Sequence, residues 1–154
     1  MTDYVTLLRN AYLDEARGAA FFDALTEAQP DEHRRERLRT LQTIEARTLT
    51  SMQRLLEKAG IRVETGDARR QGRELAKQVN PADWEDLIRG LGRTLPHDVE
   101  RYSQLRDASP TPDDPALRAL VNHARAIERF TELEADGETK KSLRSLTDYL
   151  RRPA

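Results

Sequence analysis

The chain has 154 residues, enough for one compact domain, with 34% charged and 37% hydrophobic residues and a formal net charge of −1. Acids and arginines are interspersed along every segment, so there is no electrostatic footprint for DNA or RNA. Cysteine is absent, which excludes disulfides, thiolate metal sites and cysteine nucleophiles.

The opening stretch MTDYVTLLRNAYLDEARG carries Asp3, Asp14 and Glu15 and lacks the basic start and apolar run of a signal peptide. No apolar run approaches the roughly 20 residues that span a bilayer. A soluble cytoplasmic protein without membrane or nucleic-acid partners is the expectation. Helical punctuation then divides the chain. Thr2 or Asp3 can cap a first helix that runs to about residue 28 and stops at QPD. Asp31 can cap a second, about 31–59, with Gly60 as a left-handed residue after LLEKAG. In NPADWEDL, Asn80 reads as a cap and Pro81 as the first helical position of a third, about 81–108. Asp114-Pro115 opens a fourth, about 115–136, closed by Gly137, and KKSLRSLTDYL predicts a tail helix at about 140–150.

No segment has the alternation of a half-buried strand, so the chain reads as all-α. Short links pair the first helix with the second and the third with the fourth as antiparallel hairpins. The link from Ile61 to Val79 is long enough to run the length of a bundle, particularly if ARRQGRELAKQV is helical. One long crossover between helices 2 and 3 predicts a single ferritin-like four-helix bundle with a short C-terminal helix.

The inward stripes, taken in steps of three and four, are Leu8, Ala11, Glu15, Gly18, Phe22 on the first helix and Leu38, Leu41, Glu45, Thr48, Met52 on the second. The third gives Trp84, Ile88, Leu91, Leu95, Val99, Tyr102, and the fourth Leu120, His123, Ile127, Phe130, Glu134. Glu15, Glu45 and His123 therefore fall near mid-helix on faces that should be buried. None has an opposite charge three or four residues away on its own helix. An uncompensated buried charge costs several kcal/mol (order of magnitude) or is neutralised. Compensation must come from across the helices, from one another, from water or from a metal.

YLDEARGAAFFDAL resembles the first helix of rubrerythrin- and bacterioferritin-type proteins, where a ligand Glu precedes a small residue and an aromatic: here Glu15, Gly18 and Phe22. IEARTLTSMQRLLEKAG is similar to their second helix and ALVNHARAIERFTELEADG to their fourth, with the resemblance extending over residues 3–137. It implies a ferritin-like fold with a degenerate di-iron ligand set. Glu15, Glu45 and His123 match family ligands. Thr48 stands where the second helix should offer histidine, Leu120 where His123 should have a partner Glu, and Leu95 at the third-helix ligand position. Asp98 could substitute only if Pro96 re-aims that part of its helix.

Conventional ferroxidase or peroxidase chemistry is accordingly not expected, and no catalytic residue or substrate is named. Two readings of Glu15, Glu45 and His123 stay open. They can hold a single divalent Fe, Mn or Zn ion in a remodelled mononuclear site, as in an oxidoreductase or stress protein. Alternatively, His123 hydrogen-bonds the carboxylates with buried water and no metal. An interaction module is a third class: Leu7, Leu49 and Leu56 either feed a homodimer face or widen the core. His33 is expected on a charged surface, His97 in a local role beside Pro96, Glu134 exposed or paired with an arginine, and the aromatics in packing. No phosphate loop, Ser-His-Asp arrangement or classical zinc pattern occurs.

Overall fold

The computed structural model describes residues 3–152, which form six helices and no strands. They are α1 (Tyr4–Ala28), α2 (Glu32–Lys58), α3 (Gly66–Lys77), α4 (Trp84–Ala108), α5 (Pro115–Ala135) and α6 (Thr139–Arg151). Their boundaries follow from local chemistry. Asp3 accepts from the Thr6 amide at 2.8 Å, Asp31 from Arg34 at 2.9 Å and Asp114 from Ala116 at 3.0 Å, each satisfying an otherwise orphaned helix donor. Gly60 and Gly137 take positive φ, +71° and +77°. After each, the following amide reaches back to a last-turn carbonyl: Ile61 to Leu56 at 3.0 Å and Glu138 to Leu133 at 2.9 Å.

The start of α4 differs from the expectation. Asn80 does not cap it: its Oδ1 accepts from Ala82 at 3.0 Å and its carbonyl from Asp83, so Asn80-Pro81 closes a turn instead. Asp83 takes over, accepting from the Asp86 amide at 3.2 Å, and the helix begins at Trp84. Thr2, the other cap candidate for α1, lies outside the described residues. Pro96 lies inside α4, which continues through it to Ala108.

α1 packs on α2 and α3, α4 on α5, α2 on α5, and α6 on α5; α1 with α4 and α2 with α6 touch only sparingly. The core divides into two hydrophobic clusters. One gathers Leu8, Tyr12, Met52, Leu55, Tyr102 and Leu120; the other Phe22, Leu41, Ile44, Ile88, Ile127 and Phe130. Leu49 and Leu56 are buried in the first cluster and Leu7 packs against it, so these leucines widen the core. No described helix is long and apolar enough to cross a membrane.

A buried ion pair ties the far end of the molecule together. Arg37, on α2, sits 3.3 Å from Glu134 on α5 and donates to the carbonyls of His33 and Thr139. Trp84 Nε1 and Ser142 Oγ also donate to Glu134. Glu134 thus has the arginine partner expected of it, but as a buried clasp among α2, α4, α5 and α6 rather than at a fraying end.

The seat of α3 depends on Gly72, where an added Cβ would lie 2.1 Å from the Arg17 carbonyl oxygen. Gly72→Ala is therefore expected to destabilise the protein by about 1–3 kcal/mol, although alanine is the better helix former by about 1 kcal/mol. A urea midpoint at or above that of the unsubstituted chain would show that α3 is not seated on α1 in this way.

Candidate metal centre

Three helices bring Glu15, Glu45 and His123 together where the two hydrophobic clusters meet. Along α1 the first cluster extends to Ala19 and the second starts at Phe22; along α2 the second extends to Ile44 and the first starts at Leu49. All three ionisable side chains are buried, and one ligand atom from each lies within 4.8 Å of the others. His123 Nε2 is 2.9 Å from Glu45 Oε1 and 3.6 Å from Glu15 Oε1. Tyr102 on α4 donates its hydroxyl to Glu15 Oε1. Glu15 Oε2 is buried without a hydrogen-bond partner.

This arrangement answers the compensation problem posed by the sequence, because the missing charge partners lie on neighbouring helices. Burial, then the charge of Glu45, pushes Glu15 well above the usual carboxylate range; His123 and the Tyr102 hydroxyl oppose this and lose. Burial also works to raise Glu45, but the His123 charge and hydrogen bonds from Glu15 and His123 outweigh it and hold Glu45 low. Burial disfavours the imidazolium of His123, yet the two carboxylates and the hydrogen bonds to Glu45 and Leu120 push it up to about 10. Near neutral pH His123 is therefore an imidazolium held between the carboxyl groups of Glu15 and Glu45, the first disfavoured and the second favoured as the charged form.

The donor set fits a divalent cation. Two carboxylates and an imidazole suit Fe, Mn or Zn. The outer contacts are those that orient metal ligands: the Tyr102 hydroxyl on Glu15, and Leu120 carbonyl 3.4 Å from His123 Nδ1, which aims Nε2 at the carboxylates. The unpartnered Glu15 Oε2 is a buried acceptor, a feature that calls for a proton or a cation.

Thr48, Leu95 and Leu120, where the sequence resemblance expected ligands, are all buried. Leu95 and Leu120 are hydrocarbon, and Thr48 donates its hydroxyl to the Ile44 carbonyl at 2.9 Å. Thr48 lines a small cleft with Arg47, Arg118 and Tyr149 rather than the cavity that holds the trio. Asp98 does reach that cavity, but it is bound to Arg101 at 2.8 Å and lies outside the clustered group. Arg101 also bonds Asp14, whose other oxygen takes Arg17 at 2.5 Å, so this wall neutralises itself. His33 and His97 are exposed, away from the trio.

Sequence reasoning treated Tyr102 as packing and missed its role. The available signal was a phenol on an inward stripe, since a buried Tyr hydroxyl usually finds a partner. It also missed the cavity, about 630 Å³, which runs from the trio between α1, α4 and the end of α3. Compared with known proteins, the chain matches no family model, no curated protein and no solved structure.

The proton inventory has a measurable sign. The native state keeps a proton on His123 that the unfolded chain releases from about pH 6.5, and holds it until about pH 10. The raised Glu15 acts in the same direction. The contribution of His123 is therefore complete below about pH 6.5 and lost as pH rises toward 10. With chelator present, the urea midpoint should fall between about pH 6 and about pH 9.5. A midpoint that holds or rises across that interval contradicts the charge assignment.

Proposed function

We propose that the chain is a ferritin-like protein: two helical hairpins, α1–α2 and α4–α5, joined by a crossover containing α3, with a di-iron centre reduced to one divalent-cation site. Glu15, Glu45 and His123 would hold the cation. The observation that carries this reading is the convergence of one donor atom from each of three helices within 4.8 Å at the inner end of a cavity. The orphaned Glu15 Oε2 supports it. A conventional second metal has no support, because Leu95, Leu120 and Thr48 offer hydrocarbon or an already donated hydroxyl.

When bound, a divalent Fe, Mn or Zn ion would supply Lewis acidity beside the cavity, with one-electron chemistry added for Fe or Mn. The protein's residues supply the rest. Tyr102 orients Glu15 through its hydroxyl, the Leu120 carbonyl sets the ring of His123, and the hydrocarbon of Leu95, Phe22 and Ile127 limits water at the site. A second reading, a metal-free structural network, is favoured by the 2.9 Å contact between His123 and Glu45 and by the Tyr102 hydrogen bond to Glu15.

The two readings differ in proton release. A divalent cation would displace the His123 proton and any proton on Glu15, so at least one proton should leave per ion bound near neutral pH. Calorimetric titration with Mn(II) or Zn(II) in buffers of different ionisation enthalpy measures this directly. We expect one ion per chain, at least tenfold weaker binding in Glu45→Gln and in His123→Gln, and unaltered binding in Thr48→Val. Circular dichroism confirms that each variant is folded. No uptake after reconstitution, or unchanged uptake in folded Glu45→Gln, would leave the structural network as the function of these residues.

A further inference from the structure

The cavity has walls that metal binding alone does not require. At about 630 Å³ it falls within the range of small-molecule sites, about 300–1,000 Å³. Phe21 contributes from α1, Leu75 and Val79 from the end of α3 and the residues after it, and Leu87, Leu91 and Leu95 from α4. Leu75 and Val5 are the exposed large hydrophobics among the described residues, and Leu75 stands at this cavity's rim.

Four charges on the lining, Asp14, Arg17, Asp98 and Arg101, are committed to one another, whereas Arg93 lines the cavity without an ion-pair partner among the described residues. Asp14 takes Arg17 and Arg101, Asp98 takes Arg101, and Asp86 lies 3.8 Å from Arg89. A molecule entering past Leu75 meets Leu87, Leu91 and Leu95 along α4, with Arg93 and Thr94 on the same lining. At the inner end it meets Glu15, Glu45, His123 and Tyr102. A multiply charged or sugar-like ligand would lose its hydration along the leucines with few partners to gain beyond Arg93, Thr94 and Gln78. A pure hydrocarbon would leave the polar end unused. The chemistry that fits has a long apolar part and one small anionic head.

We infer that the cavity binds a monocarboxylate with an apolar tail, its head at the Glu15–Glu45–His123 site and its tail along Leu95, Leu91 and Leu87 toward Leu75. This rests on the proposed cation at that site. Without the cation, His123 is already engaged by Glu45 at 2.9 Å, so a second carboxylate would be desolvated there without a free partner. With it, the head group finds an open position on a divalent ion. Binding of the acid is thus coupled to binding of the metal.

Cobalt(II) reports both events through its visible spectrum, and decanoate is the probe acid. Cobalt-loaded protein should show a saturable spectral change with decanoate. Decanol, with the same tail and no carboxylate, should leave the spectrum unchanged and bind at least tenfold more weakly. Metal-free protein should bind decanoate at least tenfold more weakly than the cobalt form. Two variants test the walls: Leu91→Trp fills the cavity, and Leu75→Glu, at an exposed position, places a charge in the tail's path. Both should retain cobalt and lose at least tenfold in decanoate affinity. If no cobalt binds, the metal reading and this inference fall together. If cobalt binds but decanoate leaves its spectrum unchanged, only this inference falls. Equal decanoate binding without metal, or in both cobalt-loaded variants, also overturns it.

Discussion

The burial of two carboxylates and an imidazole on three different helices is the constraint around which this molecule is organised. Each group alone would be an expensive defect in a hydrocarbon core. Together, with the Nε2 of His123 2.9 Å from Glu45 and the Tyr102 hydroxyl on Glu15, they form a small polar layer between two hydrophobic clusters. The layer fixes the relative heights of α1, α2 and α5, because a slide of any one would strand a charge. The hydrophobic residues above and below can tolerate such a slide far better than the ion pairs can.

The same layer explains why the space beside it matters. α1 and α4 touch only sparingly, and the end of α3 sits over the gap between them. α3 is in turn held close to α1 by a glycine where a methyl group would meet backbone. The outcome is a cavity with a polar inner end, an apolar wall along α4 and a self-neutralised set of Asp14, Arg17, Asp98 and Arg101 at one side. The opposite end of the molecule is closed differently, by Arg37 and Glu134, with Trp84 and Ser142 completing the hydrogen bonds. One buried ionic cluster faces a cavity and the other is sealed among four helices.

Much of this was legible in the amino-acid sequence because it is local. Caps at Asp3, Asp31 and Asp114, and the left-handed glycines at positions 60 and 137, act within a few residues of themselves. The three ionisable residues were legible because inward stripes and the lack of i±3 and i±4 partners are both one-dimensional properties. Asn80 misled because Asp83, three residues on, can cap equally well, and only the turn closed by Asn80 on Ala82 decides between them. Tyr102 and Arg37 were missed because their partners are distant in sequence. The cavity was missed because a void depends on helix separation, which no stripe records.

Glu15, Glu45 and His123 either bind a cation or neutralise one another, and diffraction distinguishes these directly. Crystals grown with zinc, measured on both sides of its absorption edge, should show one anomalous peak per chain. That peak should lie about 2.0–2.2 Å from an oxygen of Glu15, an oxygen of Glu45 and Nε2 of His123. A zinc-soaked crystal with no peak within reach of these atoms, and with His123 still hydrogen-bonded to Glu45, would contradict the metal-site reading.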